Sequence, residues 1–184
     1  MQLATQRLLI RDWQPDIDAA EAIAIYGNPQ VTQWIGDKSL DNTVEAVQAR
    51  LQRYCDRAAT FPGLGCWAVV QQDTQAIIGT LLLMPLPGQD NQPSGKVEIG
   101  WHFRPESWGY GYATEAAYAV LKMGFTTLDL PTIYAVALLE NDRSLRVMQR
   151  LNMADLGVSH DYYGGHPLRL FCRHRFEVPI QAPI

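Results

Sequence analysis

The stretch that most constrains the fold is Trp108-Gly109-Tyr110-Gly111-Tyr112-Ala113-Thr114-Glu115-Ala116, where a glycine-rich loop runs straight into a strongly patterned helix. Ala113, Ala116, Ala117, Val120, Leu121, Gly124 and Phe125 recur at helical spacing, which predicts a helix with one apolar side beginning near Gly111 or Tyr112. Its first turn then faces the loop. The unpaired amides and partial positive charge of a helix start suit an anion, and glycine lets a phosphate come close to the backbone. A glycine-softened turn before a core helix reads the same way from this stretch alone. Two phosphate motifs are excluded residue by residue. A dinucleotide fingerprint needs a third glycine where Thr114 stands, and the Gly-Lys-Ser/Thr end of a P-loop is absent.

With 184 residues and 47% hydrophobic content the chain can bury one substantial core, so residues 1–184 are expected to form a single domain. A net charge of −4 argues against broad attraction to nucleic acid or to an anionic membrane and favours a small-molecule or protein substrate. Cys55, Cys66 and Cys172 are odd in number and widely spaced, as expected of reduced thiols in a cytoplasmic protein rather than a disulfide framework. Neither a signal-peptide pattern nor an apolar run of about 20 residues is present, so the default expectation is a soluble intracellular protein.

Along the chain, residues 3 to 13 read as a first strand, and Pro15-Asp16 opens a helix carrying Ile17, Ala20, Ile23 and Ala24. Asn28-Pro29 is a turn signal, and Asp41 to Ala59 predicts a helix with Val44, Val47, Leu51 and Tyr54 on one side. Trp67 to Gln71 and Ala76 to Met84 predict a hairpin turning at Gln72-Asp73-Thr74. Pro85 to Gly95, polar and proline-rich, reads as a loop, and Lys96 to Phe103 as the strand feeding the glycine loop. A strand at Ile133 to Leu138, a helix at Arg143 to Leu151 and extended runs at Ala154 to His160 and Leu168 to Phe176 follow. The tail from Pro179 to Ile184 has no pattern and is expected to be loosely ordered. The order of elements is mixed, which predicts a mixed sheet.

The loop resembles the acetyl-CoA pyrophosphate loop of the GNAT N-acetyltransferases, whose pattern is Gln or Arg, two residues, Gly, any residue, then Gly or Ala. Gly111 and Ala113 fit it, and Trp108 holds the Gln/Arg position, a departure familiar in the branch resembling the ribosomal-protein N-terminal acetyltransferases (RimJ/RimL-like). Thr5-Gln6-Arg7-Leu8-Leu9-Ile10-Arg11 and Asn28-Pro29-Gln30-Val31 also resemble the opening of that branch. A third match lies thirty positions after Gly111: Asn141-Asp142-Arg143-Ser144 opens a helix, with Asn141 and Ser144 matching the family and Met148 standing where a Tyr often serves as the acid. A thioether cannot donate a proton. Asn, Asp and Ser are also ordinary helix-start residues.

The resemblance implies an α/β (α+β) GNAT fold: a central, mostly antiparallel mixed sheet of six to seven strands, split by the cofactor and flanked by about four helices. It implies acetyl-CoA bound by Trp101, His102 and Phe103 of the strand, by Trp108, Gly109, Tyr110, Gly111, Tyr112, Ala113 and Thr114 of the loop, and by Asn141, Arg143, Ser144 and Arg146. Ser144 would hydrogen-bond or protonate the leaving thiolate. Backbone amides near His102 and Phe103 would stabilise the developing oxyanion. Arg143, Arg146 and Arg150 share helical spacing and suit a phosphate or simply a solvated stripe. By alternation, Glu98, Gly100 and His102 face one side of their strand and Ile99, Trp101 and Phe103 the other. Glu98 is the candidate base for an acceptor amine and His102 the alternative.

Trp34, Ile35 and Tyr54 are candidate acceptor-groove residues, and Tyr162, Tyr163 and His166 of the turn 161–166 are candidate acceptor contacts; core and turn roles fit the same residues. No convincing activated Ser or Cys nucleophile is present, so transfer would be direct. The His and Cys residues lack zinc-site spacing, and no metal is expected. The favoured acceptor is a protein or peptide N-terminal α-amine, with a small amine (polyamine, amino acid, aminoglycoside) as the rival. A non-catalytic acyl-CoA-binding module stays open because the usual Tyr is missing. Either a monomer or a homodimer is compatible with the sequence.

Overall fold

The computed structural model describes residues 2–36 and 38–175. Among them, five α-helices flank one sheet of eight strands in the order β1-β2-β3-β4-β5-β6-β8-β7. The strands are β1 (Gln2–Ala4), β2 (Leu8–Asp12), β3 (Gly65–Gln71), β4 (Ile77–Pro87), β5 (Pro93–Phe103), β6 (Thr132–Leu138), β7 (Ala154–Ser159) and β8 (Leu168–His174). The helices are α1 (Pro15–Tyr26), α2 (Pro29–Thr32), α3 (Val44–Ala59), α4 (Tyr112–Thr126) and α5 (Asp142–Arg150).

The sheet exceeds the expected six to seven strands because the first predicted strand is two. Thr5 folds the chain back: its Oγ1 accepts from the Leu8 N–H at 3.0 Å, so β1 and β2 pair as a hairpin with Leu3 opposite Ile10. The fifth helix is α2, a single turn started by Pro29 and capped by Asn28, whose side chain accepts from the Gln30 N–H at 3.0 Å. The expected loop at 85–95 is also corrected. β4 and β5 run through most of it, with Pro85 opposite Val97 and Pro87 opposite Pro93 across a register shift. Proline is accommodated where a strand begins or a bulge removes the need for a ladder N–H. Phe176 and the tail 179–184 lie outside the described residues.

Two cores sit on opposite faces of the sheet. Trp67 and Val69 of β3 join Leu81, Leu83, Ile99, Phe103 and the apolar faces of α4 and α5, whereas Ala68 and Val70 face Ala22, Ile25, Tyr26, Val47 and Leu51 of α1 and α3. β3 is buried on both faces, so its sequence is a continuous apolar run instead of an alternation. Among the described residues no helix is long and apolar enough to cross a membrane.

The feature that creates a site is the β5–β6 pair. It is the parallel pair of the sheet, joined by the α4 crossover, and it registers at one position, Glu98 opposite Tyr134. Beyond that point β5 continues to Phe103 paired with β4 alone on its other edge, while β6 pairs with β8. The two strands run the same way, so both carboxyl ends open into one gap, the place where open α/β sheets bind ligands. The glycine loop leaves β5 and α5 follows β6; both therefore start at the mouth of the same split.

Candidate active site

A cleft of about 950 Å³ occupies this split. Its wall is formed by Glu98 to Phe103, by Trp108, Gly109 and Gly111 to Thr114, by Asn141, Arg143, Ser144 and Arg146, and by Trp34, Ile35, Tyr54, Tyr163 and His166. The structure thus brings nearly all the residues singled out in the sequence to one cavity. Tyr110 and Tyr162 lie elsewhere. Tyr110 is 62% exposed and stacks on Tyr112, ring centroids 5.7 Å apart. Tyr162 is buried in a separate cluster with Leu86, Leu168 and Leu170, where its hydroxyl meets the Lys96 ammonium.

The loop is shaped for a ligand. Gly109 and Gly111 have φ of 86° and 80°, the left-handed region that side chains rarely adopt. A Cβ added at Gly109 would meet no protein atom within 4 Å, so open space lies in front of that backbone. Gly111 is the N-cap of α4 and supplies no side-chain cap to the first-turn amides. Thr114 adds a buried hydroxyl that finds no partner. Together these groups form a cradle of unsatisfied donors at a positive helix end, the donor set a phosphate requires.

Five side chains hold that cradle in place. The Trp108 indole N–H donates to the Phe103 carbonyl at 2.7 Å, and the Arg143 guanidinium lies 4.1 Å above the Trp108 ring, so this residue ties β5 to α5 across the mouth. On the outside, the Glu115 carboxylate accepts from Thr5 Oγ1 at 2.6 Å, the Arg7 N–H at 2.9 Å and Arg7 Nε at 2.7 Å. Arg7 also donates to the Tyr110 carbonyl at 3.0 Å. Burial works against the Glu115 charge, but these hydrogen bonds from Thr5 and Arg7 hold the carboxyl below its ordinary range. Sequence reading missed this clamp, since its partners are 108 residues apart.

At the start of α5, Asn141 Oδ1 accepts from the Ser144 N–H at 3.2 Å, an N-cap that fixes the turn presenting Ser144 to the cleft. Met148 is 1% exposed and packs into the core beneath.

The alternation expected of β5 holds. Ile99 and Phe103 enter the α4-side core, whereas Glu98 and His102 face the side of α1 and α3. Glu98 is 5% exposed and accepts a hydrogen bond from the Tyr163 hydroxyl. Burial pushes its pKa up to about 7, against the opposing pull of that hydrogen bond and of Arg57. Burial, then the nearby Arg50 charge, pushes the His102 imidazole down to about 4. Its Nδ1 is buried without a partner, and its ring meets Tyr26 edge-on at 6.1 Å. Tyr163 reaches Glu98 from a strained turn: Tyr163, Gly164 and Gly165 have successive φ of 49°, 73° and 84°. Opposite, α3 turns Arg50, Tyr54 and Arg57 toward the cleft at helical spacing. The sequence reading found Tyr54 and missed the two arginines; the i, i+4, i+7 pattern was the available signal.

Residues 7–154 match the family described as acetyltransferase (GNAT) domain. The uncharacterized N-acetyltransferase YnaD of Bacillus subtilis is 32% identical over 162 residues, covering 83% of this chain and 82% of that protein. Among solved structures, the acetyltransferase (GNAT family) from Bacillus anthracis superposes with a TM-score of 0.79 at 24% identity, covering 96% of this chain and all of that one. The ribosomal-protein-S5-alanine acetyltransferase from Vibrio fischeri superposes with a TM-score of 0.72 at 16% identity, covering 97% of this chain and 100% of that one.

Proposed function

From the premise that the chain belongs to the GNAT acetyltransferase family and is an acetyl-CoA-dependent N-acyltransferase, we propose that its acceptor is the α-amine of a peptide or protein N-terminus. The observation that carries this reading is the single cleft in which the split strands gather a phosphate cradle, Ser144 and a buried carboxylate that titrates near neutrality.

The cradle of Gly109, Gly111, the first-turn amides of α4 and Thr114 would bind the pyrophosphate of acetyl-CoA, and Arg143 and Arg146 would meet its remaining phosphate. Acetyl-CoA supplies the activated acyl group. Donors on the open edge of β5 at Trp101 to Phe103 would orient the carbonyl and answer charge as it builds on oxygen. Glu98 takes the proton of the attacking amine. An α-amine has a pKa of about 7.7 to 8.0, so a carboxylate near 7 is close enough in affinity to accept its proton directly or through water. His102, held neutral, is a much weaker base. Ser144, in the first turn of α5 at the cleft, would donate a hydrogen bond from its hydroxyl to the leaving thiolate and stabilise it, keeping its own proton while the thiolate takes one from water. Met148 is buried and has no proton to give, which leaves the Ser144 hydroxyl as the group at this helix start suited to that contact.

The peptide acceptor is supported by the aromatic wall of Trp34, Tyr54 and Tyr163 and by likeness in fold to a ribosomal-protein acetyltransferase. The test is coenzyme A release across peptides with free N-termini, the same peptides with blocked N-termini, and small amines. Release with free but not blocked peptides is expected. Release with small amines alone would overturn the peptide assignment.

A further inference from the structure

The described residues lining the cleft include Lys38, Arg50, Arg57, Arg143, Arg146 and Arg150 against one carboxylate, Glu98, in a chain whose net charge is −4. This concentration of positive charge divides between two ends. The three arginines of α5 stand beside the cradle, where the phosphates of the proposed cofactor account for them. The other three stand at the acceptor end, where those phosphates leave them unexplained.

At that end the three cations differ. Arg50 is 5% exposed and largely answered: its Nε donates to Asp41, its Nη2 to Ser39, and its guanidinium lies 5.0 Å over the Tyr26 ring. Arg57, two turns further along the same face of α3, is exposed and donates a long hydrogen bond of 3.4 Å to the Pro85 carbonyl. Met84, next to Pro85, is the register partner of Glu98, so the Arg57 guanidinium stands close to the buried carboxylate on the acceptor side. Lys38 lies exposed on the rim. The end of the cleft therefore presents a recessed carboxylate with an exposed cation beside it.

We infer that the acceptor is a zwitterionic amine, carrying a carboxylate a short distance from the nucleophilic nitrogen; this rests on reading the cleft as the transferase site. Glu98 receives the ammonium end and Arg57 the carboxylate, with Lys38 adding attraction for the same charge. A polyamine meets the reverse pattern, since its additional cations are driven against Lys38 and Arg57. The chemistry has two sources, the carboxylate of a free α-amino acid or an acidic side chain just after a peptide N-terminus.

The experiment compares peptides with Asp, Asn or Lys at the second position, free leucine against leucinamide, and putrescine. Coenzyme A release is measured with rates referred to the unprotonated amine. Equilibrium binding of the three peptides to the coenzyme A-loaded protein is measured in parallel. Each exchange from acidic to neutral to basic is expected to raise KM by about tenfold at low salt and by less at high salt. Arg57→Gln should raise KM for the acidic acceptor about tenfold and bring the acidic-to-neutral ratio near one, while Arg57→Lys should keep most of the preference. Leucine favoured over leucinamide with inert peptides would uphold the charge assignment and sink the peptide reading. Equal KM and equal affinity across the three peptides, or preference for lysine or putrescine, would overturn the charge assignment while leaving acetyl transfer intact.

Discussion

The Tyr163 hydroxyl donates a hydrogen bond to the Glu98 carboxylate across 65 positions of sequence. Two opposed effects meet there. Burial disfavours the charged carboxyl, and the phenol favours it; burial is the larger, leaving a pKa of about 7. Burial, then the Glu98 charge, pushes the Tyr163 phenol well above its ordinary range, so it acts as a hydrogen-bond donor and does not ionise.

Glu98→Gln is expected to lower turnover by about 10²-fold and to raise the amine KM, because it removes both the base and the charge that draws the ammonium in. His102→Gln should do much less, since an imidazole pushed down to about 4 is a weak proton acceptor. Rates of both variants across pH check this; damage confined to His102→Gln would reverse the assignment.

Tyr163→Phe removes the contact that favours ionised Glu98, so the rising limb of the pH–rate profile, expected near 7, should move to higher pH. A purely structural role for Tyr163 predicts a uniform loss with the limb unmoved, and the profile separates the two.

Gly109→Ala should weaken acetyl-CoA binding by tenfold or more, because its methyl enters the open space before the loop. Left-handed backbone also costs a side chain about 1–2 kcal/mol, so some loss of stability accompanies it. Gly111→Val, branched at φ 80°, should be worse on both counts. Calorimetric titration of folded variants decides; normal affinity would remove the loop from cofactor binding. Ser144→Ala should instead lower kcat more than it changes acetyl-CoA affinity, as expected of a contact that strengthens when charge develops on sulfur.

Stability should carry two opposed pH dependences. Glu98 is raised from 4.5 to about 7 in the folded state, so its contribution is fully present below about 4.5 and is lost as pH rises through 7. The loss is about 3 kcal/mol at 1.36 kcal/mol per pKa unit. His102 is lowered from 6.5 to about 4, so its contribution is present above 6.5 and is lost as pH falls toward 4. Glu98→Gln should therefore stabilise the protein at pH 8 and unmask a decline in Tm between pH 6.5 and 4, and His102→Gln should show the mirror trend. Parallel Tm curves for both variants and the parent would contradict these shifts.

Local geometry was legible in the sequence because it depends on short-range periods and on which residues can start a helix. The spacing of Ala113 to Phe125 placed α4 at its observed start, Asn141 announced an N-cap, and alternation assigned Glu98 and His102 to one face of β5. Periodicity carries no pairing partner. That Thr5 folds a hairpin into what reads as one strand, and that β4 and β5 extend through the prolines of 85–95, follows from burial against neighbouring strands. Spacing also carries no reach between distant segments. Only the folded sheet brings Arg7 to Glu115 and sets Arg50 and Arg57 of α3 against the gap. Tyr162 and Tyr163 are indistinguishable as a sequence pair, yet one is buried with Leu168 and the other reaches Glu98. A run of left-handed backbone from Tyr163 through Gly164 to Gly165 turns the chain there; the glycine pair marks the turn in the residue order, but which tyrosine it sends to Glu98 is fixed by long-range packing.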